Sequence, residues 1–361
     1  VQIAYYISAH GYGHGVRSCD ILAALFARHP GARVTVTTGL PESFLRNRLP
    51  EAGERLRVRE GVFDVGMVQR DSIRVDVEAT LEQVLELTGR RAELAAGEVD
   101  FLRESGAELV VADIPAMPLE AAAKLGLPRV AIGNFSWDWI YSPFVERDAR
   151  WRGVIDLFEE GYRQADLLLK LPFAPEMPVF ARQEEVGLLA RPGRNRRAEL
   201  ARATGADPAK RWVLLSFTTL EWNDEALRRV EALEGFQFFT VKPLDWPGRR
   251  NIHGVAREEF IFSDVLASTD LVVTKPGYGI LSDCVANAKP IVYAEREDFI
   301  EYPVLERELK RFLKHVHVPA ADLYAGRLEA ALEAVGSAPE PREVLRGGGA
   351  EQVADRLIGL Y

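Results

Sequence analysis

Short apolar runs alternate with stretches of helical period along most of the chain. The first run, 2–7, stops at Ser8-Ala9-His10-Gly11-Tyr12-Gly13-His14-Gly15, and an amphipathic stretch over 16–28 follows. That order predicts a strand, a glycine-rich turn and a helix. Further strands are predicted over 33–37, 109–112 (ending at Asp113) and 129–132, with helices over 75–104 and 119–125. Prolines 172, 175, 178 and 192 then crowd a stretch that reads as a connection. After it the rhythm restarts, with strands at 212–217, 236–241, 271–274 and 291–293. Helices at 224–233, 260–267 and 280–287 alternate with these strands. A last helix, 350–360, follows Gly347-Gly348-Gly349. Such alternation predicts α/β structure with parallel sheets covered by helices. The expected division is a domain over 1–171, joined by the terminal helix 350–361, a linker over 172–197, and a second domain over 198–346.

The 361 residues are 47% hydrophobic and 27% charged, an ordinary globular balance whose length suits two domains. A net charge of −9 argues against a nucleic-acid binder while leaving room for a local basic phosphate site. Cys19 and Cys284 are the only cysteines, so neither a disulfide framework nor zinc-ligand spacing is expected, and a reducing, cytoplasmic setting fits. The chain enters its first strand without a charged leader and cleavage site, and no apolar run is long enough to span a bilayer. Nothing in the pattern assigns an oligomeric state.

Two turns carry candidate chemistry. In the first, glycines allow positive φ and close approach of another molecule, and the turn holds two imidazoles. Histidine titrates nearest neutrality, so His14 or His10 is a natural base. Gly11-Tyr12-Gly13-His14-Gly15-Val16 lacks the last glycine of the dinucleotide fingerprint. In the second, Lys275-Pro276-Gly277-Tyr278-Gly279 leads from a strand into a helix. The helix start offers free N–H groups to a phosphate, Lys275 adds charge, and Asp283 one turn on can accept hydrogen bonds from two ribose hydroxyls. No Walker sequence is present. Asn134, with Phe135, Ser136 and Trp137, is a candidate acceptor platform, because sugars stack on indole rings and amides read hydroxyls. Asp64 and Asp71 are isolated, so no Asp-x-Asp metal motif exists and no metal is expected.

These segments resemble the GT-B glycosyltransferases. Tyr12-Gly13-His14 resembles the Gly-His step of plant-type glucosyltransferases and the glycine-rich turn of the N-acetylglucosaminyltransferase that forms lipid II. The stretch 275–283 resembles their donor motif, with Asp283 on the family glutamate, and Glu301-Tyr302 resembles its closing acidic-Gln pair. Lys275 stands where the family has histidine, Gly279 where it has asparagine, and Tyr302 where it has glutamine. The narrowest likeness, through 4–14, 134–141 and 275–279, is to the glycosyltransferase-like N-terminal region of plant L-arabinokinases, without their kinase half.

The resemblance implies two Rossmann-like domains facing across a cleft and an inverting, metal-independent transfer of sugar from a nucleoside diphosphate sugar to an acceptor hydroxyl. It implies His14 as base, oriented by Asp113. It implies donor contacts from Ser216, Thr218, Thr219, Phe260, Ile261, Lys275, Gly277, Tyr278, Gly279, Asp283, Glu301 and Tyr302. Acceptor contacts are expected from His10, Gly11, Tyr12, Gly13, Asn134 and Trp137. No cofactor is expected beyond the co-substrate, a UDP-sugar, and the partners are a small-molecule donor and acceptor. Two alternatives on the same fold are a nucleotide- or sugar-binding module without turnover and an epimerase of the 2-epimerase type.

Overall fold

The computed structural model describes residues 1–68, 75–296 and 299–360. Asp71 and position 361, the end of the expected terminal helix, lie outside them. The chain forms two compact units, the first of 1–68, 75–189 and 346–360, the second of 190–345.

The first unit holds seven parallel strands: β1 (Gln2–Ile7), β2 (Arg33–Thr38), β3 (Leu56–Glu60), β4 (Leu109–Asp113), β5 (Arg129–Gly133), β6 (Leu167–Lys170) and β7 (Gln183–Glu185). Their order is β3-β2-β1-β4-β5-β6-β7. β1 reads as an unbroken apolar run because both faces of the sheet are covered. Ile3, Tyr5 and Ile7 pack on one side with the helices Tyr12–Arg28 and Gly349–Ile358. Ala4 and Tyr6 pack on the other with Phe63, Leu102 and Met117. Arg28 Nε donates to Asp355 at 2.7 Å, tying the last helix to the first.

The second unit repeats the plan with β8 (Arg211–Ser216), β9 (Phe236–Val241), β10 (Ile252–Val255), β11 (Leu271–Thr274), β12 (Ile291–Tyr293) and β13 (His315–His317), in the order β10-β9-β8-β11-β12-β13. Both sheets therefore reverse winding between their first and fourth strands. In doubly wound sheets, ligands bind beyond the carboxyl ends of the strands at that reversal. Register places two chemistry-bearing pairs there. Ile7 pairs with Asp113 across β1 and β4, and Ser216 pairs with Thr274 across β8 and β11.

Several expected elements shift. The helix expected from 16 begins at Tyr12, so His14 and Gly15 are helical. Gly11, Gly13 and Gly15 all keep φ outside the positive region, so conformational freedom is not why they are glycines. The single helix expected over 75–104 breaks at Arg90 into Val77–Gly89 and Arg91–Glu104. Asp76 caps the first of these by accepting from Ala79 N at 3.1 Å. The proline-rich stretch read as a connection carries β7. No described helix is long and apolar enough to cross a membrane.

Candidate active site

At the end of β1 the chain runs through Ser8 and His10 into the helix Tyr12–Arg28, whose first turn carries His14. His14, Arg17 and Ser18 lie three and four residues apart, on one helix face directed at Asp113. His14 Nδ1 is 2.7 Å from Asp113 Oδ1. Arg17 Nε donates to Asp113 Oδ2 at 2.9 Å, Arg17 Nη2 donates to Oδ1, and Ser18 Oγ donates to Oδ2 at 2.7 Å. Arg17 Nη1 also donates to Asn134 Oδ1 at 2.8 Å. Asp113 has no solvent exposure and His14 is 6% exposed.

Burial works to raise the Asp113 carboxyl, but Arg17 and His14 outweigh it and hold the group well below the usual carboxylate range. Burial and the Arg17 cation lower His14, against the pull of Asp113. His14 is therefore neutral at pH 7. With Nδ1–H donated to ionised Asp113, the Nε2 lone pair is available. Nε2 has no hydrogen bond among the described residues and is absent from the buried atoms lacking partners, so it reaches solvent.

A second group adjoins the first. Trp137 Nε1 donates to Asp64 Oδ2 at 2.8 Å, and Ser8 Oγ lies 2.8 Å from His10 Nδ1. The His10 ring sits 4.7 Å from His14 and 4.8 Å from Trp137, centroid to centroid. His10 is exposed, yet the loss of water around its ring, His14 and Arg17 hold its pKa well below the ordinary histidine value.

Burial pushes the Asp64 carboxyl up from 3.8 to about 6, against the hydrogen bond from Trp137 and the nearby Ser8 hydroxyl. A raised carboxyl stabilises the fold fully below its unfolded pKa and progressively less as pH rises through the folded value. The shift from 3.8 to about 6 amounts to about 3 kcal/mol at about 1.36 kcal/mol per unit. Asp64→Asn keeps the shape without the charge. It is expected to be the more stable protein at pH 8 by up to that amount, with the gap closing by pH 4. Urea unfolding at the two pH values measures it; a gap independent of pH would show that Asp64 does not carry this penalty.

Not every residue expected to meet an acceptor has an open surface. Trp137 is 2% exposed, so its indole is core that orients Asp64 and not a stacking platform. Asn134 is likewise buried and engaged by Arg17. Gly11 and Gly13 behave differently: a Cβ on either would meet nothing within 4 Å. At Gly15 a Cβ would fall 2.5 Å from Leu40 Cδ1, so that glycine serves packing. Tyr12 is 54% exposed, with its ring 5.0 Å from Phe44.

In the second unit a pocket of about 220 Å³ opens at the ends of β8 and β11. Ser216, Thr218, Lys275 and Gly277 line it, joined by Arg257 and Arg296. The helix Tyr278–Ala286 starts at Gly277, a residue with no side chain of its own to cap it. Positions 277 and 279 leave open space around the backbone there. Three cations and a helix start make an anion site. Its volume is below that of pockets for drug-sized ligands, so it suits a diphosphate better than a whole nucleotide sugar.

The other donor candidates stand outside the pocket lining. Thr219 follows Thr218 in the loop after β8. Phe260 is buried with the Arg196 guanidinium 4.3 Å above its ring, and Ile261 is 59% exposed. Tyr278, Gly279 and Asp283 lie on the helix itself. Tyr302 donates to Glu306 at 3.2 Å. Burial raises the Glu301 carboxyl, opposed by Arg296. Arg296 lies 3.2 Å over the Phe299 ring, and its Nε has no partner among the described residues. Burial lowers its pKa to about 10.

Sequence reasoning missed Arg17, Ser18, Ser8 and Asp64 in the first unit, and Arg257 and Arg296 in the second. The spacing of His14, Arg17 and Ser18 was the available signal for the first two. Arg257 and Arg296 sit in charged stretches that read as solvated.

No model of a known protein family matches the chain. It is 30% identical over 337 residues to an L-arabinokinase of Arabidopsis thaliana, covering 91% of this chain but 32% of the relative, so it spans about a third of that protein's length. Among solved structures, the glycotransferase of kitacinnamycin superposes with a TM-score of 0.63 at 18% identity, over 99% of this chain and 93% of that one. UGT89C1 of Arabidopsis thaliana, complexed with quercetin, gives 0.65 at 14% identity over 99% and 98%. The same enzyme with UDP-L-rhamnose gives 0.63 at 15% identity over the same shares. Two parallel sheets of matching strand order, together with these superpositions over nearly the whole chain, establish that the protein has the GT-B fold of glycosyltransferases.

Proposed function

We propose that this chain is an inverting, metal-independent glycosyltransferase that moves a sugar from a nucleoside diphosphate sugar to an acceptor hydroxyl. The observation that carries the reading is the buried His14–Asp113 contact of 2.7 Å, at the winding reversal of the first sheet, with Nε2 left open. In this reading His14 Nε2 takes the proton of the attacking hydroxyl while its oxygen bonds to the anomeric carbon. The bond from that carbon to the diphosphate breaks, and its electron pair leaves with the diphosphate. Asp113 stabilises the imidazolium that forms. The anion site formed by Lys275, Arg257, Arg296 and the helix start at Gly277 receives the departing charge. Those cations do the electrostatic work that a divalent ion does elsewhere. Similarity to a structure solved with UDP-L-rhamnose supports UDP as the nucleotide.

A second reading, a nucleotide-sugar-binding module without turnover, is favoured by one contact. Arg17 Nη2 also lies 2.9 Å from His14 Nδ1. If the guanidinium donated there, Nε2 would carry the proton and His14 would not be a base. A thermal-shift panel of nucleoside diphosphates and their sugars, followed by a mass-spectrometric search for a transferred hexose or pentose, separates the two. UDP at a hundredfold excess over its Kd is expected to stabilise the chain by about 2.7 kcal/mol, with transfer detected. Stabilisation without transfer would favour the module, and no response to any nucleotide would defeat both.

A further inference from the structure

We infer that Arg17 is a positioning residue for the base: its planar guanidinium fixes the Asp113 carboxylate so that Oδ1 is held for His14 Nδ1–H, leaving the lone pair on Nε2. The inference rests on the transferase reading for the role of His14 and adds to it a residue that acts through others.

A carboxylate has about four lone-pair sites. Asp113, with no solvent exposure, meets four donors. Oδ2 accepts from Arg17 Nε at 2.9 Å and from Ser18 Oγ at 2.7 Å. Ser18 Oγ in turn accepts from the Tyr5 hydroxyl at 3.3 Å, so its own proton is free for Asp113. Oδ1 accepts from Arg17 Nη2 and lies 2.7 Å from His14 Nδ1. The count closes only when Nδ1 carries hydrogen. Were Nδ1 instead the acceptor of Arg17 Nη2, 2.9 Å away, Oδ1 would have one donor fewer in a place closed to solvent.

Arg17 Nε and Nη2 meet the two carboxylate oxygens side by side, a fork that fixes plane as well as place. At the other end of the guanidinium, Nη1 donates to Asn134 Oδ1 at 2.8 Å, so the fork itself is pinned to the residue that follows β5. A lysine at 17 would keep the charge as a single point and lose the plane. The charge has a separate effect. Around the pair stand Tyr5 of β1, whose phenol burial keeps un-ionised, Asp64 after β3, raised to about 6, and His10, its ring centroid 4.7 Å from that of His14 and its pKa well below the ordinary value. Arg17 is the one cation among these groups, with its side chain 14% exposed. Removing it leaves burial to oppose a protonation of His14 that Asp113 favours.

The test compares the full chain with Arg17→Lys, Arg17→Gln and Asn134→Ala. Spectra of ¹⁵N-labelled histidine, taken against pH without substrate, read the His14 tautomer and titration midpoint. Turnover is measured with the nucleotide sugar and acceptor that the mass-spectrometric search yields. The parent is expected to hold His14 as Nδ1–H. Arg17→Lys and Asn134→Ala keep the charge and loosen the fork. Both should mix the tautomers and lower kcat, by up to about a hundredfold, the cost of a misplacement of about 1 Å, with the midpoint unmoved. Arg17→Gln should in addition move the midpoint to higher pH. The inference is overturned by Nε2–H in the parent, by unmixed Nδ1–H and full kcat in Arg17→Lys and Asn134→Ala, or by an unmoved midpoint in Arg17→Gln. A side chain that merely supports the fold would cost stability in all three and move neither tautomer nor midpoint. Should Arg17→Gln not fold, the other two variants still decide. The expected tautomers and midpoints in a chain that transfers no sugar would defeat the transferase reading while the hold of Arg17 on the dyad stands. Turnover that falls in His14→Ala but is untouched in the Arg17 variants would defeat this inference alone.

Discussion

Asp113→Ala is expected to lose about 3–5 kcal/mol of stability at pH 7, the penalty typical of removing one partner from a buried ion pair. The carboxylate is fully buried and receives Arg17, Ser18 and His14. Without it the Arg17 guanidinium, whose side chain is 14% exposed, keeps Asn134 as acceptor but has no counter-ion. The backbone at the same position is also engaged, since Asp113 O accepts from Ser8 N at 2.8 Å. Alanine preserves that bond, so the loss reports the carboxylate.

The pH dependence follows from the lowered pKa. A carboxyl held below its unfolded value stabilises fully above that value, about 3.9, and loses the contribution as pH falls through the folded one. The difference between parent and Asp113→Ala should therefore be flat from pH 7 to about pH 5 and shrink in more acid solution. Denaturant titrations at pH 7, 5 and 3 measure it. A difference under about 1 kcal/mol at pH 7 would mean that the carboxylate is not what neutralises Arg17. Asp113→Asn keeps the volume but turns an amide N–H toward donors, so it should recover only part of the loss.

How much of this was legible can be argued from particular residues. β1, β9, β11 and β12 are buried on both faces, and an apolar run between turn residues declares such a strand. Three of the four edge strands, β3, β7 and β13, carry Arg57, Arg59, Gln183, Glu184, His315 and His317. Polar edges protect a sheet from further pairing and for that reason do not read as strands. The start of the first helix was missed because two glycines and a histidine in four residues look like a turn. The uncrowded positions of Gly11 and Gly13 show that there the sequence keeps open space, a property with no local signature.

Within the site, His14 and Asp113 announced themselves by ending an apolar strand or following one. Asp64 did not. Its partner is Trp137, far away in sequence, and only the fold brings them together. Trp137 illustrates the opposite difficulty. Its composition suggested a sugar platform, whereas burial and the bond to Asp64 make it a support for the residues beside the open space.

His14→Ala is expected to lower kcat by about 10²–10⁴, the range for losing a positioned general base, while leaving stabilisation by UDP unchanged. The separation follows from where the groups lie. His14 belongs to the first unit, and the cationic pocket is lined by residues of the second alone. Loss of the imidazole also removes one of the groups around Asp113, but Arg17 and Ser18 still satisfy that carboxylate, so the fold should survive. His10→Ala is the control, since His10 Nδ1 meets Ser8 Oγ at 2.8 Å and no hydrogen bond joins it to Asp113. It should affect acceptor affinity more than kcat. In the parent, burial and Arg17 lower His14, so kcat/KM should rise with pH through a value below the ordinary histidine pKa and be level at neutrality. Arg17→Gln removes the cation and should move that rise to higher pH. Retention of turnover within about tenfold of the parent in His14→Ala, with donor and acceptor both bound, would transfer the role of base to another group.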